Sequence, residues 1–302
     1  MNGPTGRLID ADDAWRRLLG IRTGADAEAA GLRRDAPGRY NWRDEASADA
    51  ALLAERYLPG CLAGPRLVHA QLGQSIDGFI ATREGDSDYV TGPEDREHLH
   101  RLRALSDAVV VGAGTAVSDD PRLTVRACAG PDPVRVVLDP HGRVPRDRQV
   151  FTDGAAPTLW VIGEPVRDAA KDVAREGVDV LVLPGRDAFS PRRLLGELGR
   201  RGLGRVLVEG GGVTVSRFLH DGALDRLFVT VAPVLIGDGV RGLSFEGPGV
   251  LRDALRPPVR RACLGQDTLF EFDLRSSLRT PEAGEPPDGD NDGTGQGGDE
   301  DQ

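Results

Sequence analysis

Lysine, cysteine and methionine are scarce in this chain of 302 residues. Lys171 is the only lysine among 38 basic residues, and there are three cysteines and one methionine. Schiff-base chemistry or a lysine general base could use only Lys171, so neither is favoured. Cys61, Cys128 and Cys263 are isolated and form no CxxC pair. This argues against a disulfide framework and a structural zinc site, and it fits a reducing compartment.

Long apolar runs and a concentrated basic face are also missing. No apolar run reaches membrane-spanning length, and the first residues lack the charged-then-apolar pattern of a signal peptide, so we expect a cytoplasmic protein. The net charge is −10, but eight acidic residues and one arginine lie between 277 and 302 and account for most of it. Binding to a phosphate backbone needs clustered positive charge. We therefore expect neither a nucleic-acid nor a membrane partner.

Composition divides the chain into three segments. Residues 1–63 are rich in Ala, Arg and Asp, with helical spacing over 12–19 and 46–57 and a Gly- and Pro-containing loop over 31–41. They predict a helical N-terminal extension of unknown role. Residues 64–276 form the main domain. Residues 277–302 contain almost nothing apolar, so they cannot offset their ordering entropy and are predicted to be an acidic disordered tail.

The main domain alternates strand and helix signals. Apolar, β-branched runs predict strands over 67–72, 108–111, 134–138, 158–162, 178–183, 205–208, 227–231 and 268–272. Helical patterns occupy 93–105, 166–176, 191–201 and 213–221. Near-continuous apolar strands that alternate with helices indicate an α/β fold with a mostly parallel sheet flanked by helices. The last two runs, 259–264 and 268–272, predict an antiparallel hairpin at the sheet edge.

Two strands run into glycine-rich turns. The first turn is Gly112-Ala113-Gly114-Thr115, and the second is Glu209-Gly210-Gly211-Gly212 before a helix. Such turns let backbone N–H groups approach a phosphate, and a helix N-terminus favours the negative charge. Neither turn is a Rossmann fingerprint. In the first turn, Val117 stands where a third glycine would be required. Either the glycines only make tight turns, or the pair cradles a dinucleotide diphosphate.

No hydrolytic or metal-binding pattern is present. The five histidines show no HExxH spacing, Ser216 lacks a nucleophile elbow, and no metal site is predicted. His98 and His100 are expected at the surface of a helix. The loop 119–126 carries two adjacent acids and two arginines that suit a phosphorylated substrate, although a solvated loop is the alternative interpretation. Residues 85–89 form a second polar segment after an Asp77-Gly78 turn signal.

Together these segments resemble the pyrimidine reductase domain of riboflavin biosynthesis, a branch of the dihydrofolate-reductase-like fold. The matching motifs keep their order over about 210 residues and are Ser75-Ile76-Asp77-Gly78, Gly85-Asp86-Ser87, Thr91-Gly92-Pro93-Glu94, Leu102-Arg103-Ala104, Val111-Gly112-Ala113-Gly114-Thr115, the run 119–126, the run 133–139, Val208-Glu209-Gly210-Gly211-Gly212, Ala232-Pro233 and Leu235-Ile236-Gly237. The resemblance does not extend to residues 1–63 or to the tail.

The resemblance implies NADPH-dependent reduction of a phosphoribosylamino-pyrimidine to its ribitylamino product, and a homodimer. Hydride would go to the ribose C1′ in its ring-opened imine form, a reaction that depends on positioning more than on a strong acid or base. Implied substrate contacts are Ser87, Arg103, Leu123, Arg126 and Glu209, of which Glu209 is the one catalytic candidate. Implied NADPH contacts are Gly73, Tyr89, Thr115, Asp119, Gly211, Gly212, Val213, Thr214, Val215, Ser216 and Arg217.

Charge suggests how these residues divide the work. Arg103 and Arg126 suit the 5′-phosphate, and Glu209 suits hydroxyl or amino donors of the substrate. Asp119 is expected to bind the ribose or nicotinamide end of the cofactor, because a carboxylate would repel a 2′-phosphate.

Two positions depart from the pattern of the bifunctional bacterial members. Gln71 replaces a frequent Lys, an exchange that stand-alone archaeal and fungal-type reductases tolerate, and Tyr89 replaces a usual Trp. The deaminase domain is absent and an unrelated N-terminal segment precedes the reductase. These departures motivate a second interpretation, a paralogous reductase acting on a folate, pterin or specialised metabolite. A third, a non-catalytic nucleotide-binding protein, is disfavoured by the retained polar residues of the implied substrate site.

Overall fold

A computed structural model describes residues 8–36, 39–88, 90–168, 177–185 and 189–275. Several predicted features lie outside these residues. They are Tyr89, Lys171, most of the helix predicted over 166–176, and the tail predicted over 277–302. Of the helix predicted over 166–176, the structure describes residues 166–168. Val166 is the last residue of a short 3-10 turn at Glu164–Val166.

Three helices and a hairpin precede the main sheet. Their bounds are α1 Ala11–Leu19, α2 Gly24–Ala29, β1 Leu32–Ala36, β2 Arg39–Trp42 and α3 Ala48–Cys61. Asp10 and Ser47 cap α1 and α3, because their side chains accept hydrogen bonds from the backbone N–H groups of Asp13 and Ala50. The helices predicted over 12–19 and 46–57 are confirmed. The loop predicted over 31–41 is wrong, because β1 and β2 form an antiparallel pair there.

The remaining elements alternate as predicted. The strands are β3 Leu67–Ser75, β4 Phe79–Thr82, β5 Ala108–Gly112, β6 Val134–Asp139, β7 Thr158–Gly163, β8 Val178–Leu183, β9 Arg205–Val208, β10 Arg226–Ala232, β11 Gly239–Arg241, β12 Val259–Leu264 and β13 Asp267–Asp273. The helices are α4 Pro93–Ala104, α5 Ala113–Ser118, α6 Gln149–Thr152, α7 Pro191–Arg200 and α8 Gly212–His220. All eight predicted strands of the main domain are therefore confirmed.

Nine of these strands form one sheet in the order β12-β13-β10-β3-β9-β5-β6-β7-β8. The seven strands from β10 to β8 are parallel to one another. β13 runs antiparallel to β10 and β12 antiparallel to β13, which confirms the hairpin predicted at the edge. β4 and β11 form a separate antiparallel pair. The α/β class with a mostly parallel sheet is confirmed.

The sheet buries apolar residues on both faces. Neighbouring residues of β5 alternate between two clusters, with Val109 in one and Val110 in the other. The first cluster also contains α4 and residues of α1 and α3, so the N-terminal segment (residues 8–61) shares its core with the sheet. The second cluster includes α7 and α8. Among the residues described, none of the helices has the length and apolarity needed to traverse a membrane.

Candidate functional site

The two glycine-rich turns meet at the carboxyl-terminal edge of the sheet. β5 and β9 are neighbouring parallel strands, so both turns leave the sheet side by side. The Gly211 N–H donates a hydrogen bond of 2.9 Å to Thr115 Oγ1. A Cβ at Gly210 would lie 2.5 Å from the same oxygen, and one at Gly112 would lie 2.6 Å from Thr214 Oγ1. The turns interlock because the glycines leave room for the two threonines.

Helix α8 starts immediately after the second turn and has no side-chain cap. Its first N–H groups are therefore available to an anion, and the helix dipole favours one there. A Cβ at Gly212 would lie only 1.7 Å from the Gly242 carbonyl oxygen, so no other residue fits at this position. Of the predicted stretch 211–217, Val213 and Arg217 have exposed side chains.

Two residues of that stretch face away from the edge. The Val215 side chain is fully buried in the cluster beneath α8. Ser216 is also buried, and its Oγ accepts a hydrogen bond of 2.8 Å from the Ser244 N–H. These side chains serve packing and the adjoining loop, because a helix turns every third or fourth residue back to the sheet. Val215 and Ser216 were predicted as cofactor contacts, and their buried side chains differ from that prediction.

Arg103 and Glu209 form a buried ion pair. Arg103 Nε lies 2.7 Å from Glu209 Oε1, and Arg103 Nη2 lies 2.6 Å from Glu209 Oε2. Their side chains are 8% and 5% exposed, so little water competes with this bidentate contact. Burial alone would lower the pKa of Arg103, but the charge and hydrogen bonds of Glu209 outweigh it, and the pKa is raised.

This pairing was not part of the expectation for either residue. Arg103 was expected to bind the phosphate and Glu209 to bind substrate donors, whereas the structure engages each with the other. Arg103 also donates from Nη1 to the Thr124 carbonyl oxygen at 3.0 Å. The pair therefore joins α4, the end of β9 and the loop after α5 at one point.

The loop after α5 carries Leu123 and Arg126. Asp120 and Leu123 have positive φ angles of 41° and 56°, an uncommon backbone conformation for residues with a side chain. The Leu123 side chain is buried in the core, which differs from a direct substrate contact. Arg126 is exposed, and within the described ranges no carboxylate forms a salt bridge with it.

The electrostatic surroundings of Arg126 favour an anion. Partial burial, followed by repulsion from Arg103 and Arg122, lowers the pKa of Arg126. Because these guanidinium groups repel one another, a phosphate placed among them would relieve that repulsion. Thr124 Oγ1 accepts a hydrogen bond of 2.5 Å from Arg126 Nη1 and orients the group. Arg126 is thus the predicted phosphate ligand that the structure leaves available.

The other predicted contacts lie along the same polar region or outside it. Asp119 is exposed at the end of α5, where its Oδ1 accepts a hydrogen bond from Ser118 Oγ. Ser87 is exposed in the loop after β4. Gly73 lies on β3, where a Cβ would approach Thr91 Cγ2 to 2.7 Å and Asp95 Oδ2 to 3.3 Å. A glycine is required here because the start of α4 packs directly against the strand.

Sequence reasoning missed a buried carboxyl group beside Gly73. Asp95 is 3% exposed and accepts hydrogen bonds from Thr230 Oγ1 at 2.6 Å and from Gln71 Nε2 at 3.1 Å. Burial raises the pKa of Asp95 against the opposing effect of these hydrogen bonds. Asp95 looked like an ordinary acid in the first turn of a helix. The signal that could have found it was Gln71, already marked as unusual, which is its partner.

The prediction that His98 and His100 lie at the surface is wrong. Both are buried, and burial lowers the pKa of His98 to about 3 and that of His100 to about 4. Tyr57 Oη lies 2.8 Å from His98 Nδ1. His100 Nδ1 accepts a hydrogen bond of 2.8 Å from the Arg126 N–H. Both rings are neutral near pH 7 and act in packing and loop anchoring.

The protein is of the α/β class, with a mostly parallel sheet that carries glycine turns and buried carboxyl groups at its carboxyl-terminal edge. Residues 66–265 match the family model of the RibD C-terminal domain. The chain belongs to this family. The N-terminal segment precedes the matched region.

Relatives and solved structures agree with this assignment. The riboflavin biosynthesis protein RibD of Aquifex aeolicus is 38% identical over 203 residues, which are 66% of this chain and 55% of that protein. This chain thus spans little more than half the length of that relative. The 2,5-diamino-6-ribosylamino-4(3H)-pyrimidinone 5′-phosphate reductase of Methanothermobacter thermautotrophicus is 34% identical over 207 residues, which are 67% of this chain and 94% of that enzyme.

Two solved structures share the fold. The deaminase/reductase of Thermotoga maritima aligns with a TM-score of 0.59 and 25% identity over 76% of this chain and 64% of that one. The riboflavin biosynthesis reductase of Saccharomyces cerevisiae aligns with a TM-score of 0.55 and 20% identity over 74% of this chain and 99% of that one. The second likeness shows the fold alone.

Proposed function

We propose that the chain is an NADPH-dependent reductase that converts a phosphoribosylamino-pyrimidine to the corresponding ribitylamino-pyrimidine phosphate in riboflavin biosynthesis. The observation that carries the proposal is the meeting of the two glycine turns beside the buried Arg103–Glu209 pair. Glu209 directly precedes the second glycine turn, so the ion pair adjoins the edge that is suited to an anion. Membership of a family whose relatives are named as reductases of this pathway supports the same activity.

The residues of the edge fit a dinucleotide. Gly210 and Gly212 let the turn pack closely against Thr115 and the Gly242 carbonyl, and the start of α8, which has no side-chain cap, offers N–H groups to a diphosphate. Thr115 holds the turn in shape through its bond to the Gly211 N–H. When NADPH is bound, it supplies the hydride that reduces C1′ of the ribosylamino group.

The substrate side is assigned to the cationic loop. Arg126 binds the 5′-phosphate, and Leu123 fixes the loop by burying its side chain in the core. Glu209 keeps Arg103 in place and presents the remaining lone pairs of its carboxylate to substrate donors. The protein thus works mainly by positioning the reacting carbon, which can supply a large part of a rate enhancement.

Asp95 is proposed as the group that holds a proton near the reacting atoms. It lies beside Gly73, which the family resemblance places at the cofactor. Its raised pKa keeps the carboxyl group protonated to higher pH than an exposed aspartate. Gln71 and Thr230 orient it, so a proton can be donated to the ring oxygen that opens or to the imine nitrogen as the hydride arrives.

Turnover measured by NADPH absorbance tests the proposal. The purified protein is assayed with the diamino-pyrimidinone ribosyl phosphate, its deaminated uracil analogue and dihydrofolate. We expect oxidation of NADPH with at least one of the first two and none with dihydrofolate. Turnover of dihydrofolate alone would favour the paralogous reductase. NADPH binding without turnover of any of them would favour a binding protein and overturn the proposal.

A homodimer acting in the cytoplasm completes the proposal. The dimer is supported by the family resemblance, and the reducing compartment by three cysteines that form no disulfide among the described residues. Sedimentation equilibrium at micromolar concentration checks the first point. A monomer there would contradict it.

A further inference from the structure

We propose that Trp15 is a positioning residue, through which the N-terminal segment holds the loop of residues 123–130 in the shape that presents Arg126 to the substrate phosphate. The inference rests on the proposed function for the identity of that ligand. It concerns residues that precede the matched family region 66–265. It therefore assigns a role to a part of the chain that the family does not explain.

The contact is direct and joins distant parts of the chain. Trp15 Nε1 donates a hydrogen bond of 2.7 Å to the Ala129 carbonyl oxygen, 114 residues away. The indole is 3% exposed and Ala129 is exposed, so the donor side of this bond is buried and the acceptor side faces the surface. Next to it, Gly130 fits between α4 and α1, because a Cβ there would lie 2.5 Å from Ala104 Cβ and 3.4 Å from Leu19 Cδ2. Helix α1 thus forms one wall against which the end of the loop rests.

The beginning of the same loop is held from the other side by α4. His100 Nδ1 accepts hydrogen bonds from the N–H groups of Arg126, at 2.8 Å, and Ala127, at 3.4 Å. Arg103 Nη1 donates to the Thr124 carbonyl oxygen. Arg126 therefore lies between two anchors, one on α4 and one on α1. Loss of the α1 hydrogen bond would leave the end of the loop held by the packing of Gly130 and by the hydrogen bond from the Val125 N–H to Asp132 Oδ1.

The loop needs a second anchor because its own energetics work against this shape. Leu123 has a left-handed backbone conformation with a φ of 56°, which is strained for a residue with a side chain. Arg103 and Arg122 repel Arg126 and favour movement of its side chain away from them. An exposed loop with strain and like charges spreads over several conformations unless packing holds it. Trp15 supplies that packing and one hydrogen bond.

The chain offers a matched control for a substitution of Trp15. Trp42 Nε1 also donates to a backbone carbonyl, that of Ala50, at 3.0 Å. That bond lies within the N-terminal segment and does not reach the loop. Trp15→Phe and Trp42→Phe each remove one indole donor and keep an aromatic ring. Any effect common to both variants reports stability, whereas an effect confined to Trp15→Phe reports the loop.

The experiment combines steady-state kinetics with hydrogen exchange. For Trp15→Phe we expect the KM for the phosphorylated pyrimidine to rise about 3- to 10-fold, the range that loss of one neutral hydrogen bond gives. We expect kcat within about twofold of the unsubstituted protein and an unchanged Kd for NADPH. Amide exchange over residues 124–130, measured without ligands, should accelerate by a similar factor. Trp42→Phe should change neither KM nor exchange in the loop.

The outcomes separate this inference from the proposed function. Faster exchange with an unchanged KM would make Trp15 purely structural and overturn the inference, as would no change in either. If the unsubstituted protein turns over neither pyrimidine, the proposed function fails. The Kd of ribose 5-phosphate then decides the inference. Weaker binding in Trp15→Phe alone would support it, and equal binding, or no binding by the unsubstituted protein, would overturn it.

Discussion

The buried pair of Arg103 and Glu209 allows stability and activity to be separated. Glu209→Gln removes the negative charge and leaves the guanidinium of Arg103 buried without a counter-ion. Breaking such a pair costs about 3–5 kcal/mol. Since one amide oxygen remains to accept a hydrogen bond, we expect a loss of about 3 kcal/mol in the free energy of unfolding. For a chain of this size that corresponds to a fall in Tm of about 6–12 °C.

Turnover should fall as well, for a reason that does not depend on unfolding. Glu209 Oε1 and Oε2 fix Arg103, and Arg103 fixes the carbonyl of Thr124 in the loop that carries Arg126. At a temperature where the variant is fully folded by circular dichroism, we expect kcat/KM to fall by about 10-fold or more, a change worth about 1.4 kcal/mol. NADPH binding, which uses the glycine turns, should be retained.

Two further variants make the test decisive. Arg103→Met combined with Glu209→Leu replaces the pair by apolar groups of similar size, which is often neutral for stability, so Tm should recover while activity does not. The buried Glu271 of β13 forms ion pairs with Arg226 of β10 and with the more exposed Arg260 of β12, and Glu271→Gln should lower Tm with normal turnover. Unchanged Tm and turnover in Glu209→Gln, or recovered activity in the double variant, would refute the reasoning.

Three more predictions concern the phosphate, the proton and the cofactor. Arg126→Ala should raise the substrate KM about 10- to 100-fold with little effect on NADPH affinity. The control Arg193→Ala, on the opposite face of the sheet, should change neither. An unchanged KM in Arg126→Ala would show that the phosphate binds elsewhere. Asp95 has a raised pKa, so both its proton and the stability it contributes are fully present at low pH and are lost as pH rises through that pKa. The rate should fall over the same rise in pH. Asp95→Asn should remove the pH dependence of both kcat/KM and the free energy of unfolding, and it should slow turnover about 100-fold. A fall in rate with rising pH that persists in this variant would assign the titration to another group. Gly210 has a φ of 89° and no room for a Cβ, so Gly210→Ala should weaken NADPH binding at least 10-fold by fluorescence titration. The control Gly202→Ala, with a φ of 78° and open space around the glycine, should not weaken it. Equal Kd values for NADPH in the two variants would remove the turn from the cofactor site.

The fold could be predicted from the sequence wherever the signal was local. Strands such as Val109–Val111 within β5 are short apolar runs, and burial on both faces of a parallel sheet requires such runs. The hairpin of β1 and β2 was missed because its residues are mostly exposed and polar, and the one alternation, Tyr40 and Trp42 in β2, spans only four residues. α4 looked like a charged surface helix because the rings that cover His98 come from Tyr57 and Phe228, far away in the sequence.

The candidate site was predictable as a set of positions but not as a set of contacts. The family resemblance placed Arg103, Glu209 and Arg126 at one edge of the sheet. It did not reveal that two of them bind each other, because a pair 106 residues apart leaves no spacing signal. Asp95 was missed for the same reason, since its partner Thr230 lies on a strand 135 residues further along. Only the fold brings these groups together.

The cluster that joins the N-terminal segment to the sheet also contains all three tryptophans of the chain. Trp15 and Trp42 come from the segment, and Trp160 comes from β7. Because one contiguous set of side chains serves both parts, removing either part would bring the apolar surface of the other into contact with water, and the two melt as one cooperative unit. Indole fluorescence would report a single transition, and proteases would find residues 8–61 no easier to cleave than the sheet. The point where sequence similarity to relatives begins is therefore not a point at which the molecule comes apart.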